Sequence, residues 1–177
     1  MPTKAILCSY SRRRGLLSGF TLIEMIIVVA ILAVMSAVAG PSMLNMLKTS
    51  RVRAAASDFY SALLKARSES IKRRVTVTIA PLSSSDWTTG WTVKYGSTTL
   101  ISHEALASDV SVQVNVPSAT IASITYGSNG RVSSTAPTMI FYVASDSTVQ
   151  ARCVSADPAG LPRVRTDTNG SAADGCN

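Results

Sequence analysis

Arg12-Arg13-Arg14-Gly15-Leu16-Leu17-Ser18-Gly19-Phe20-Thr21-Leu22-Ile23-Glu24 runs straight into an apolar segment that ends near Gly40-Pro41. Three arginines, a junction of small residues and one carboxylate stand at the mouth of a 20-residue run from Phe20 to Ala39. Plain readings compete for it. About 20 apolar residues span a hydrocarbon core of roughly 30 Å, so a transmembrane anchor fits the length. That reading leaves Glu24 unexplained, because an acidic residue at a helix centre costs about 2.5–3.5 kcal/mol on insertion scales and less near an end. A secretory signal peptide shares the basic start, and Ala37-Val38-Ala39 supplies an Ala-x-Ala site. Yet the run exceeds the usual signal core, holds a carboxylate, and meets Pro41 two residues after the cut. A buried helix of a soluble protein does not account for the arginines.

The combination resembles the processing and assembly signal of the type IV pilin superfamily. The resemblance implies cleavage between Gly19 and Phe20 by a prepilin peptidase, N-methylation of the exposed Phe20, and an assembly role for Glu24. The chemistry is coherent. Cutting after Gly19 puts an α-amino group on Phe20, four residues before Glu24, and residues four apart on a helix are neighbours. Glu24 can then be neutralised by its own terminus, by a neighbouring subunit's terminus or by the positive end of the helix dipole. An unpaired carboxylate in an apolar filament core is costly, so this pairing can set the stagger between subunits. The chain divides accordingly into a leader at 1–19, a transmembrane and assembly helix at 20–40, an amphipathic continuation at 41–74 and a head at 75–177.

Charge agrees with an exported, tethered chain. Of 17 basic residues, Lys4, Arg12, Arg13 and Arg14 lie in the leader, leaving 13 against 10 acids, or +3 for the mature chain. The leader cluster is a positive-inside signal, which places the N-terminus in the cytoplasm and everything after Pro41 across the inner membrane, in the periplasm. The overall charge of +7 is therefore no evidence for nucleic-acid binding. Cys8 leaves with the leader. Cys153 and Cys176 remain, an even count in a compartment that permits disulfides, and a bridge between them is expected. Two unrelated thiols are the alternative.

After Pro41 a helical pattern resumes: Met43, Leu44, Met46, Leu47, Val52, Ala55, Phe59, Leu63, Ala66 and Ile71 keep a spacing of mostly three and four. Pro41 is expected to kink the helix rather than end it. From Phe20 to Arg74 the rod measures about 80 Å at 1.5 Å per residue. An amphipathic second half implies a globular domain packed along it. Its polar face carries Lys48, Arg51, Arg53, Lys65, Arg67, Lys72, Arg73 and Arg74 against Asp58 and Glu69, a surface that faces solvent or headgroups, or else binds phosphate.

From residue 75 the period changes to two. Val75, Val77 and Ile79 alternate with Thr76, Thr78 and Ala80, and Val110, Val112, Val114 and Val116 alternate with Ser111, Gln113 and Asn115. Further strands are expected at 91–95, 121–126, 138–144, 148–154 and 163–166. Turn signals at 83–86, 128–130, 145–147 and 157–160 separate them. A long helix followed by about seven short strands indicates an α+β fold, the helix packed on an antiparallel β head.

The head narrows the resemblance. Trp87-Thr88-Thr89-Gly90-Trp91 and Ile124-Thr125-Tyr126-Gly127-Ser128-Asn129-Gly130-Arg131 resemble elements of FimT/GspH-like minor pilins and pseudopilins. In plain structural terms the tryptophans are core aromatics and Gly90 and Gly130 serve turns. No phosphate-binding glycine loop, paired-carboxylate motif or metal-ligand spacing is present, so no catalytic residue, metal or cofactor is expected. His103 is the only histidine and reads as a strand-edge or surface residue.

Two functions follow from the resemblance. One is a FimT-like minor pilin of a type IV pilus, whose partners are other pilins and DNA taken up without sequence preference. Such DNA binding is associated with a Gly-Arg-x-Arg tail, matched here in part by Gly160-Leu161-Pro162-Arg163, with Arg165 two residues on and Arg152 beside Cys153. Arg163 and Arg165 share one side of a strand, which suits successive phosphates; Asp157, Asp167 and Asp174 oppose their charge. The other is a GspH-type pseudopilin of a type II secretion system, which shares the same N-terminal signal.

Overall fold

The computed structural model describes residues 19–115, 123–133 and 137–167 together with Cys176; the side chains of 37–42 lie outside this description. The leader with Arg12–Arg14 and Cys8, and Val116 in the expected alternation, fall outside the described residues.

One helix, α1 (Leu22–Arg73), opens the fold. Thr21 caps it. Its hydroxyl accepts the Glu24 N–H at 3.2 Å, which satisfies one of the orphan donors of the first turn, and its carbonyl accepts the Met25 N–H at 3.2 Å as the first regular helical bond. At the far end Arg74 takes φ 56°, and the Val75 N–H reaches back to the Ser70 carbonyl at 3.3 Å, so a left-handed residue closes the helix. The kink expected at Pro41 lies outside the described side chains, although α1 runs through that position as one element. Among the described residues no helix is long and apolar enough to cross a membrane; the apolar run of 20–39 extends into 37–39, where side chains are not described.

Val52, Ala55, Ala56, Phe59, Ala62, Leu63 and Ala66 form the buried stripe of α1. Four alanines in it let the sheets approach the helix closely. Met43, Leu44, Met46 and Leu47, expected on the same stripe, are exposed, because the head engages α1 only from Lys48 onward, where Lys48 meets Asp146. Ile71 is also largely exposed, and the stripe ends on Glu69 and Ser70 instead.

Two four-stranded antiparallel sheets pack against this stripe. Their strands are β1 (Val77–Ser83), β2 (Asp86–Tyr95), β3 (Thr98–His103), β4 (Ser111–Asn115), β5 (Ile124–Tyr126), β6 (Thr138–Tyr142), β7 (Arg152–Ala156) and β8 (Pro162–Thr166). One sheet has the order β3-β2-β1-β5, the other β4-β6-β7-β8. Phe59 sits where they meet: its ring is edge-on to Trp87 at 5.6 Å and to Trp91 at 5.2 Å, and tilted against Phe141 at 5.7 Å. The fold is thus the expected α+β arrangement, with strand differences that have local causes. β3 was not expected, since Thr98-Thr99-Leu100-Ile101-Ser102-His103 does not alternate; a tight turn at Gly96 (φ 52°) folds it onto β2. β7 begins four residues later than expected because Asp146 turns the chain first, its carboxylate accepting from the Thr148 N–H (3.1 Å) and hydroxyl (2.6 Å).

Candidate functional site

The expected processing junction, Gly19–Phe20, precedes α1. Gly19 and Phe20 are exposed ahead of the cap, and Glu24 lies on the exposed first turn. Thr21-Leu22-Ile23-Glu24 has the Thr-x-x-Glu spacing of a capping box, and its Thr half is formed by the bond from the Glu24 N–H to the Thr21 hydroxyl, a local signal that sequence reasoning missed. From Phe20 to Met35 the described apolar side chains are exposed all around the helix, Phe20 at 75% and Leu22 at 78%.

The tail arginines do not converge. In the β7–β8 pair, Arg152 lies opposite Thr166, Cys153 opposite Arg165, and Ser155 opposite Arg163. Directly opposed residues share a face, and successive residues along a strand alternate between the two faces. Arg163 and Arg165 therefore stand together on the outer face, exposed, with Cys153. Arg152 belongs to the inner face with Val154 and Val164, beside α1. This register puts Arg152 on the face opposite to the other two. Arg163 is partly offset by Asp157 at 3.8 Å, whereas Arg165 has no ion pair among the described residues. A disulfide joins Cys153 to Cys176, with Cα atoms 6.3 Å apart, and holds Cys176 against Ile140 and Tyr142 on that outer face.

The basic face of α1 is mostly exposed, as expected of a solvated surface, and several of its residues also pair within the chain. Lys48 pairs with Asp146 at 2.8 Å and Arg51 with Asp109 at 2.8 Å. Lys65 and Arg73 both pair with Glu69, and Arg73 also lies over the Tyr95 ring at 4.6 Å. Hydrogen bonds from Arg73 and Lys65 hold the Glu69 carboxyl down at about 2, and Lys48 with Thr148 holds Asp146 at about 2. Arg67 donates to the Gly130 carbonyl at 3.3 Å. Asp109 and Asp146 sit in turns distant in sequence, so Lys48 and Arg51 looked unopposed.

His103 ends β3, an edge strand. Its ring stacks on Trp91 at 4.0 Å, Nδ1 donates to the Glu104 carbonyl at 2.7 Å, and Nε2 lies 3.3 Å from Asp58 on α1. It braces the sheet edge against the helix.

The family described as Type II transport protein GspH matches residues 55–160, more than half of the chain. The chain belongs to the GspH family. The prokaryotic N-terminal methylation motif matches residues 18–40, so this GspH protein carries the pilin-type start as well as the head. It is a member of the type IV pilin superfamily. The fold is similar to that of the type IV minor pilin FimU of Pseudomonas aeruginosa, at 21% identity and TM-score 0.59, covering 72% of this chain and 96% of that one. It is also similar to the minor pseudopilin EpsH of the Vibrio cholerae type 2 secretion system, at 15% identity and TM-score 0.52, covering 66% and 97%. No curated protein matches.

Proposed function

We propose that this GspH-family chain is a FimT-like minor pilin, a structural and assembly subunit of a type IV pilus. A prepilin peptidase cuts it between Gly19 and Phe20, Phe20 is N-methylated, and 20–40 holds it in the inner membrane with the head in the periplasm. The observation that carries this reading is the helix start, where an apolar surface stays exposed on every side from Phe20 to Met35, interrupted by Glu24. A helix apolar all round is stable only in lipid or among other helices, and a subunit that passes from membrane to filament meets both. Arg163 and Arg165, side by side on the outer face of edge strand β8, give the head a place to grip DNA phosphates without reading bases.

The second reading is a pseudopilin of a type II secretion system, which the description of the matching family favours. Two measurements separate these ideas. Intact mass of the chain co-expressed with a prepilin peptidase should give a methylated product beginning at Phe20; a product beginning at Gly40 would remove the pilin-type processing. Titration of a fluorescent duplex with the full chain in detergent should show salt-sensitive binding. Arg163→Ala/Arg165→Ala should lower the slope of log K against log salt by about 1.8, the value for two lost phosphate contacts. No binding at low salt favours the secretion piston.

A further inference from the structure

Between α1 and the inner face of β7–β8 lies an open notch of about 470 Å³, walled by Arg53, Ser57 and Tyr60 from the helix and by Arg152 and Val164 from the strands. Its charge is unusual within this head. Every other arginine or lysine of α1 that faces the sheets is matched to an acid or a carbonyl of the chain itself. Arg53 has no ion pair and no hydrogen bond among the described residues. Arg152 donates from Nη1 only to the neutral Thr166 hydroxyl, and its Nε is buried with no partner among the described residues. Among the described residues no carboxylate lines the opening that Arg53 and Arg152 share, and burial, then the charge of Arg53, push the Arg152 guanidinium below its ordinary value.

We propose that this notch receives the carboxylate of an acidic segment from another polypeptide, held between the guanidinium groups of Arg53 and Arg152. A planar fork of N–H donors matches a carboxylate bidentately. Ala56 and Val164 offer apolar contact to the methylene stem of an Asp or Glu, and the Ser57 and Tyr60 hydroxyls stand at the same opening. The recess suits a protruding side chain better than a duplex, whose phosphates lie on a broad convex surface. Arg163 and Arg165 are on the opposite face of the same sheet, so one duplex cannot engage both sets.

The test uses the full chain in detergent and two labelled peptides, an N-acetylated hexaglutamate amide and its hexaglutamine counterpart, followed by fluorescence anisotropy. Hexaglutamate should bind and hexaglutamine should not. Arg53→Gln and Arg152→Gln should each weaken hexaglutamate at least about tenfold, the effect of losing one charge-assisted contact. Arg163→Ala/Arg165→Ala should leave it unchanged. Arg53 is exposed, so its variant keeps the fold and decides the outcome even where Arg152→Gln does not fold. Equal peptide affinity in wild type and Arg53→Gln overturns the proposal. So does a result in which Arg53→Gln weakens a DNA duplex and not the peptide, which would make the notch part of a nucleic-acid surface.

Discussion

Gly160 and Gly130 show how single residues join the two ends of the head. Gly160 has φ 82°, and a Cβ there would run into the Gly130 carbonyl; Gly130 has φ 73°, and a Cβ there would press on Ile71 of α1. Two tight turns and the end of the helix therefore meet with no room for a side chain. Gly160→Ala should lose about 1–3 kcal/mol from backbone conformation alone, and the collision adds to that. Gly96→Ala, at φ 52° with open space around it, should lose only the conformational part. Urea denaturation of the two variants should rank them in that order; equal losses would mean that the turn contact is slack. The carboxylates give a second residue-scale test. Glu69 and Asp146 are both held at about 2, below their ordinary 4.5 and 3.8. A depressed folded value contributes stability above the unfolded one and loses it as pH falls toward the folded one. The melting temperature should therefore be flat above about pH 5 and fall between roughly 4.5 and 2, and Glu69→Gln/Asp146→Asn should flatten that fall. An acid limb of the same steepness in the double variant would place its origin elsewhere.

At the scale of elements, α1 and the sheets are held by one stripe centred on Phe59, which touches Trp87 and Trp91 of one sheet and Phe141 of the other. Phe59→Ala should cost about 3–5 kcal/mol, as for other large-to-small core changes, while Leu64→Ala on the exposed side of α1 should stay within about 0.5 kcal/mol. Chemical denaturation measures both, and a small loss at Phe59 would mean that the two sheets close without it. The stripe was legible in the sequence because Val52, Ala55, Phe59, Leu63 and Ala66 repeat at helical spacing, and β1 and β4 were legible from alternating valines. What could not be read was pairing. β3 does not alternate, and its place depends on a turn at Gly96 that puts His103 opposite Trp91. Likewise Arg152 adjoins Cys153 in sequence, but its face is set by its register against Thr166 in β8. Register is a long-range property, and a one-residue step moves a side chain to the other face. The same limit hid the partners of Lys48 and Arg51, since Asp146 and Asp109 are far along the chain.

For the whole molecule, the distribution of buried side chains separates two jobs. Every described buried residue of the core lies at Val52 or beyond, and Met43, Leu44, Met46 and Leu47 are exposed along with the apolar residues from Phe20 to Met35. Met43, Leu44, Met46 and Leu47 are therefore no part of the buried core, while Lys48 pairs with Asp146. In energetic terms the head should be indifferent to the loss of the segment before Lys48, because removing exposed side chains exposes no new apolar area. Solubility should change in the opposite sense, since contiguous exposed apolar surface of this extent drives association unless lipid or a neighbour covers it. A chain beginning at Lys48 should stay monomeric without detergent and melt within about two degrees of the full chain in detergent, a shift smaller than that expected for 1 kcal/mol in a domain of this size. Circular dichroism melts with sedimentation of both chains would measure this. A melting temperature several degrees lower, or loss of cooperativity, would show that the apolar half of the helix takes part in folding the head.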